Sequence, residues 1–346
     1  MSGTKINFIL YAPNVHTGGG FVLLQSLLKS WSEDFFLVAL LDVRARDRLE
    51  LPVNSKVKWV SPTLGSRIRS EFTLSKLSSP EHLILCFHGL PPLVRNSAKV
   101  LIFQQNRNYL GLVGLESFAW RTRLRLLFEQ SVAYLFRGRG NEYLVQTPSM
   151  ARSLKQWYGE KPVIIRVLPF TQLYSQIVSE LQSNFDFLYV ADGEAHKNHR
   201  RLIDAWVLLA QQGLKPSLAL TLSSRDEPLL IWIQEQIEAH GLIIFNIGQM
   251  PHEKLLRIYS QSKALIFPSV SESFGLPLIE ARLARLPIVA SELDFVRDVC
   301  EPVQTFDPNS PTSIARAVKR FIGAADLPLT PLGAAEFLSA VLRHID

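Results

Sequence analysis

Two glutamates eight residues apart, Glu272 and Glu280, bracket a loop that runs from an apolar stretch at 264–267 into a helix start at Gly275, Leu276 and Pro277. A helix N-terminus presents unpaired N–H groups and the positive end of its dipole, which favours an anion such as a phosphate. A carboxylate accepts hydrogen bonds on both oxygens and so suits the vicinal hydroxyls of a ribose or a hexose. The arrangement therefore fits a ligand with phosphate between two polyols. Four other places have matching chemistry. Gly18, Gly19 and Gly20 follow the first apolar run and let the backbone approach a ligand closely. Lys197 lies just ahead of a helix beginning at Arg200 and is a natural phosphate partner. His88 and Gln104 end two further apolar runs, where a ring nitrogen or an amide can orient hydroxyls. An amide cannot serve as a general base, so Gln104 is limited to hydrogen bonding.

These side chains need strands to carry them and helices to cover those strands. Apolar runs at 6–11, 35–41, 57–60, 82–87, 100–104, 143–146 and 163–168 alternate with helical stretches at 21–31, 115–136 and 150–158. A second series has strands at 187–190, 218–222, 243–247, 264–267 and 288–290, with helices starting at Arg200, Pro228, Glu253, Leu276 and Thr312. Repeated strand–helix units predict doubly wound parallel sheets. The 346 residues exceed what one core usually organises, so two domains are expected. The expected division is a first domain over 1–170, a linker over 171–184, a second domain over 185–323 and a last helix within 324–346.

The string from Phe267 to Glu280, with Ser273-Phe274-Gly275 and a Glu-x7-Glu spacing, resembles the signature of retaining glycosyltransferases with the two-domain GT-B fold, glycosyltransferase family 4 in particular. The resemblance implies two Rossmann-like domains facing across a cleft and a C-terminal helix crossing back to the first domain. It implies a nucleoside diphosphate sugar, UDP- or GDP-linked, as donor substrate, and a glycan or glycolipid acceptor of the lipopolysaccharide, O-antigen or capsule type. Glu272 would then hold donor-sugar hydroxyls and Glu280 the ribose. Lys197, the Ser273 to Leu276 turn and Gly18 to Gly20 would surround the diphosphate, Met250 would pack the base, and His88 and Gln104 would face sugar or acceptor. The chain departs from the pattern twice. Gln104 stands where many relatives have His, and Ala191 stands where an Arg usually precedes the Lys, leaving Arg200 or His196 to supply a second cation. An epimerase or phosphorylase on the same fold, or a degenerate transferase acting as a binding subunit, are the competing readings.

Charge is divided unevenly. Residues 1–170 carry 22 Lys and Arg against 11 Asp and Glu, a net +11, while residues 171–346 carry 15 against 20, a net −5. A basic first half suggests an anionic partner. No nucleic-acid motif accompanies it, whereas Arg121, Arg123 and Arg125 interleave with Trp120, Leu124 and Phe128 as on a helix lying on anionic lipid. No signal-peptide layout or membrane-length apolar run is present, and Cys86 and Cys300 have no metal-like spacing, so a peripheral protein in a reducing cytoplasm is expected. Oligomeric state leaves no mark in the sequence. Asp-x-Asp is absent, and Lys197 with the helix N-terminus offers cationic alternatives to a metal. Turnover is accordingly expected to survive excess EDTA; a loss restored by magnesium or manganese would contradict this.

Overall fold

The computed structural model describes residues 8–32, 34–111, 120–159, 164–171 and 183–326. The first sheet is built from β1 (Phe8–Ala12), β2 (Leu37–Asp42), β3 (Ser55–Val60), β4 (Leu83–Cys86), β5 (Lys99–Phe103), β6 (Glu142–Val145) and β7 (Ile165–Val167). Its helices are α1 (Gly18–Lys29), α2 (Leu64–Leu77), α3 (Trp120–Phe136) and α4 (Pro148–Tyr158). The second sheet contains β8 (Phe185–Tyr189), β9 (Leu218–Leu220), β10 (Ile244–Asn246), β11 (Ser262–Phe267), β12 (Ile288–Ser291) and β13 (Gln304–Phe306). Around it lie α5 (His199–Gln211), α6 (Glu227–His240), α7 (His252–Ser260), α8 (Leu276–Leu283), α9 (Asp294–Arg297) and α10 (Pro311–Phe321).

The strand orders are β3-β2-β1-β4-β5-β6-β7 and β10-β9-β8-β11-β12-β13, and every pairing is parallel. The expected pair of doubly wound parallel sheets is thus present. In each sheet the winding reverses once, between β1 and β4 and between β8 and β11. A crevice opens at the carboxyl ends of such strands, because the flanking connections leave in opposite directions. The Gly18 turn follows β1 and His88 follows β4; Lys197 follows β8 and Glu272 follows β11. Four candidate positions from distant parts of the sequence thus fall at two switch points.

Strand periodicity explains the two apolar layers of the first domain. Leu10 and Ala12 pack with Phe21, Leu24 and Leu28 of α1, whereas Ile9 and Tyr11 pack with Leu74 of α2 and with Met150 and Leu154 of α4. The second domain has one continuous core around Phe187, Trp206, Leu220, Phe267 and Val289. Trp206 meets Phe187 edge-on at 5.5 Å, and its Nε1 donates to the Pro216 carbonyl at 2.9 Å.

Three elements are absent from the sequence-based expectation, and one has a different start. Helix α2 exposes Leu64, Ile68 and Phe72 and buries Ser70, Glu71 and Leu74, so its apolar stripe points away from the core. The buried polar face is satisfied: the Tyr11 hydroxyl donates to Glu71 Oε1 at 2.8 Å, and the Leu93 amide donates to Glu71 Oε2 at 2.7 Å. Strand β13 and helix α9, of three and four residues, are too short to leave a periodic pattern. Helix α1 begins at Gly18 rather than Phe21, so the three glycines are its first turn. The helical stretch expected at 115–119, most of the expected linker and the expected last helix lie outside the described residues.

Candidate active site

The second-domain half of the site is assembled from the connections after β8 and β11. Asn198 sits in the left-handed region at φ 63° and closes the 3₁₀ turn Ala195–Lys197 ahead of α5. Its side-chain amide donates to the carbonyls of Pro268 at 3.1 Å and Pro308 at 2.7 Å, tying three strand ends together. The Tyr189 hydroxyl donates to the Lys197 carbonyl at 2.6 Å and lies 3.2 Å from Ser269 Oγ, while the Val270 amide donates to the His196 carbonyl at 2.9 Å. Lys197 and Glu272 are thereby brought face to face, with Nζ 2.8 Å from Oε1 and side chains only 17% and 11% exposed. Burial alone would lower the Lys197 pKa, but Glu272, Asp192 and Glu194 outweigh it and hold the amine charged, above its usual range.

Gly275, at φ 72°, starts α8 with no side chain capping it, leaving the positive helix end open. Phe274 anchors this turn in the second-domain core. Ser273 reaches the first domain instead: its Oγ accepts from the Arg107 amide at 2.9 Å, and its carbonyl accepts from Thr147 Oγ1 at 3.4 Å. Glu280, in the second turn of α8 rather than the first, is buried with Oε1 2.8 Å from His252 Nε2 and Oε2 2.8 Å from the Tyr259 hydroxyl. Met250 lies in the β10–α7 connection, two residues before His252.

Across the cleft, the α1 turn approaches α8 closely. A side chain on Gly19 would begin 3.0 Å from Leu276 Cδ1, and one on Gly20 would begin 2.9 Å from Gln105 Oε1. Leu276 packs against the cores of both domains. His88 accepts the company of the Tyr11 ring edge-on at 5.1 Å, with Nδ1 3.3 Å from the Tyr11 carbonyl. Desolvation, followed in importance by the opposing effect of that carbonyl, moves its pKa down to about 4. His88 is therefore a neutral hydrogen-bonding group near pH 7.

Three expected residues are less open to the cleft than their positions in the sequence suggest. Gln104 is only 1% exposed; its Nε2 donates to the Asn106 carbonyl at 2.9 Å, and it lies against Gly89. It is part of the wall, and its neighbour Gln105 is the amide that faces the glycine turn. The two residues considered as substitutes for the cation missing at Ala191 have other surroundings. The Arg200 guanidinium stacks over Trp232 at 4.5 Å. The His196 pKa is lowered, by burial first and by Lys197 next, so this ring is neutral.

Residues 173–328 match the family model described as glycosyl transferases group 1. The second domain is a group 1 glycosyltransferase domain. Among curated relatives, the serotype-specific mannosyltransferase WbdA of Escherichia coli is 28% identical over 140 residues, 39% of this chain and 17% of WbdA. O-antigen chain mannosyltransferase B of Escherichia coli is 30% identical over 131 residues, 37% of this chain and 34% of the relative. The O-antigen chain mannosyltransferase RfbU of Salmonella typhimurium is 23% identical over 224 residues, 63% of this chain and 58% of RfbU. The match to WbdA thus spans about a sixth of that protein. The fold is shared along most of the chain with solved GT-B structures. Anabaena HepE, in complex with UDP and glucose, superposes with a TM-score of 0.66 at 15% identity, covering 91% of this chain and 90% of HepE. Sucrose-phosphate synthase from Thermosynechococcus elongatus gives 0.66 at 16% identity, covering 92% and 90%. The group 1 domain is thus one half of a GT-B cleft.

Sequence reasoning missed His252, Tyr259, Asn198 and Gln105. Only Asn198 carried a signal, an Asn just before a helix, where a left-handed residue is tolerated. Replacing it with Ala strips the donor from the Pro268 and Pro308 carbonyls and leaves in the left-handed region a residue that tolerates it less well than Asn. Asn198→Ala is expected to cost about 2–4 kcal/mol in urea unfolding, and Asn198→Gly less because the backbone strain is relieved. Both variants unfolding at the wild-type midpoint would show that this clamp carries no weight.

Proposed function

We propose that the protein is a retaining hexosyltransferase that moves a sugar from a UDP- or GDP-linked donor to a lipid-linked or cell-envelope glycan acceptor of the O-antigen type, without an obligatory metal. The observation that carries this reading is the meeting of Lys197, Glu272 and the uncapped start of α8 opposite the Gly18–Gly20 turn. Relatives named as a serotype-specific mannosyltransferase and as O-antigen chain mannosyltransferases favour a mannosyl donor and a glycan acceptor. Solved neighbours holding UDP and UDP-glucose support a nucleotide sugar.

The chemistry follows from charge. Departure of the diphosphate builds negative charge on its oxygens and positive charge at the anomeric carbon of the sugar. Lys197 and the α8 N-terminus stabilise the first, and a pre-positioned donor does so most effectively where water is excluded. Before the donor arrives, the Lys197 charge is neutralised by Glu272. With the donor in place, the amine turns to phosphate and the carboxylate to sugar hydroxyls, so each ligand group takes over half of an existing ion pair. No carboxylate among the candidate residues faces the sugar from the first domain, which favours a same-face displacement. The leaving phosphate then accepts the acceptor's proton, since neutral His88 with a pKa of about 4 is a weak base.

Steady-state kinetics on folded variants tests these roles. Glu280→Gln, acting far from the breaking bond, is expected mainly to raise donor KM. Glu272→Gln is expected to lower kcat more than it raises KM. Lys197→Ala is expected to cost about 2–4 kcal/mol in transition-state stabilisation, as the loss of one oxyanion donor does. Wild-type turnover by folded Glu272→Gln and Lys197→Ala would move the active site elsewhere, whereas neither hydrolysis nor transfer of any donor sugar by the unmutated protein would favour the binding-subunit reading.

The same proposal includes a peripheral position on the cytoplasmic face of a membrane. Helix α3 exposes Trp120, Leu124, Phe128 and Leu135 on the side opposite its buried Leu126, Gln130 and Ala133, with Arg121 and Arg123 beside them. Helix α2 adds exposed Leu64, Ile68 and Phe72. No helix among the described residues is long and apolar enough to cross a membrane. Binding to anionic vesicles is expected to weaken with salt and with the triple change of Arg121, Arg123 and Arg125 to Glu. Equal binding to neutral and anionic vesicles would remove the membrane from this reading.

A further inference from the structure

Glu280 is a buried carboxylate without a lysine or arginine beside it among the described residues; its ion-pair partner is His252. Burying a carboxylate is costly unless its oxygens are satisfied, and an ionised carboxylate offers about four acceptor positions. Two are filled from the protein. The Tyr259 hydroxyl donates to Oε2 and His252 Nε2 donates to Oε1, both at 2.8 Å. Because a carboxylate only accepts, Nε2 must carry a hydrogen in this contact whichever protonation state the ring has. One acceptor position then remains on each oxygen, a spacing that suits two adjacent hydroxyls.

The two donors come from one short helix. His252 is the first residue of α7 and Tyr259 the eighth, and a separation of seven residues returns to the same helix face. Tyr259 is fully buried and so fixes one oxygen rigidly. The His252 side chain keeps 22% of its surface and Glu280 keeps 8%, so the imidazole–carboxylate contact is the one at the edge of the site. His252 also follows directly on the 247–251 connection that carries Met250, the position expected beside the nucleotide base. The contact therefore joins the connection expected to hold the base to the carboxylate expected to hold the ribose.

We infer that His252 is a positioning residue for the donor nucleotide: by donating to Oε1 it holds the Glu280 carboxylate in the orientation that receives the two ribose hydroxyls. This rests on the assignment of Glu280 to the ribose made above. His252 does not itself touch the hydroxyls. Without it, Oε1 loses its donor, the carboxylate is free to rotate about its bond to Cγ, and its grip on a vicinal diol becomes less specific.

The test is calorimetric titration of the full chain with UDP and GDP, followed by the 2′,3′-dideoxy form of whichever binds. For the wild type, removing both hydroxyls is expected to weaken binding about tenfold or more, as loss of hydrogen bonds to a charged group does. That ratio is expected to fall below about threefold in Glu280→Gln and in His252→Leu, and to recover largely in His252→Gln, whose amide can still donate. His252→Asn, too short to reach Oε1 but polar at a helix start, replaces the Leu variant if that one fails to fold and is expected to lose the ratio as well. A purely structural role would weaken both nucleotides alike and leave the ratio untouched. If His252→Leu or His252→Asn keeps the full ratio while Glu280→Gln loses it, the role given to His252 is wrong and the ribose assignment stands. If Glu280→Gln keeps the full ratio, or the wild type binds neither nucleotide, the ribose assignment itself falls.

Discussion

Parallel strands deliver all their carboxyl ends to one edge of a sheet, and this constraint governs the molecule twice. Each sheet reverses its winding at one place, next to β1 in the first domain and next to β8 in the second. Connections leaving that place diverge, so backbone amides, helix N-termini and short polar turns collect there without any strand being distorted. The Gly18 turn, His88, Lys197 and Glu272 occupy these positions for that reason. Contacts on Ser273 and Leu276 then bring the two edges against each other.

Within the cleft, positive potential is concentrated rather than spread. Lys197 stays charged because nearby carboxylates outweigh its burial. His88 and His196 are neutral because burial dominates. Arg200 is committed to the face of Trp232. Among the described candidate residues of the second domain, the cationic features are therefore the charged Lys197 and the uncapped start of α8. The negative side is equally ordered, with Glu272 paired to that lysine and Glu280 held by the Tyr259 hydroxyl and His252 Nε2. A ligand with phosphate at its centre and hydroxyls at both ends matches this order of charges.

The two domains also meet along a polar seam beside the cleft. The Ser149 amide at the start of α4 donates to Asp298 at 2.7 Å, and Arg152 pairs with Asp294 at 2.8 Å. Both acids lie on or next to α9, a helix of four residues. The Arg152–Asp294 pair, exposed on both sides, contributes little by itself.

The fold was legible in the sequence wherever burial imposed a period. Apolar runs bounded by turns identified twelve of the thirteen described strands' cores with edges shifted by a few residues, the five helices of the second series and most of the first. Helix α2 escaped because its buried face is built from Ser70 and Glu71, whose partners Tyr11 and Leu93 are distant in sequence. The Glu272–Glu280 spacing and the glycine turn marked the candidate site, since a strand, a loop and a helix start are local features. What the sequence alone determined, then, was chemistry carried by neighbouring residues: an open helix end, a lysine before a helix, carboxylates at a set spacing. Tertiary structure decided which of those groups meet. It paired Lys197 with Glu272, turned Gln104 into the wall, drew Arg200 away to Trp232 and placed His252 and Tyr259 on Glu280. Such pairings depend on side-chain directions and burial summed over two sheets, and a hydrogen bond at 2.8 Å between residues 28 or 75 apart leaves no periodic trace along the chain.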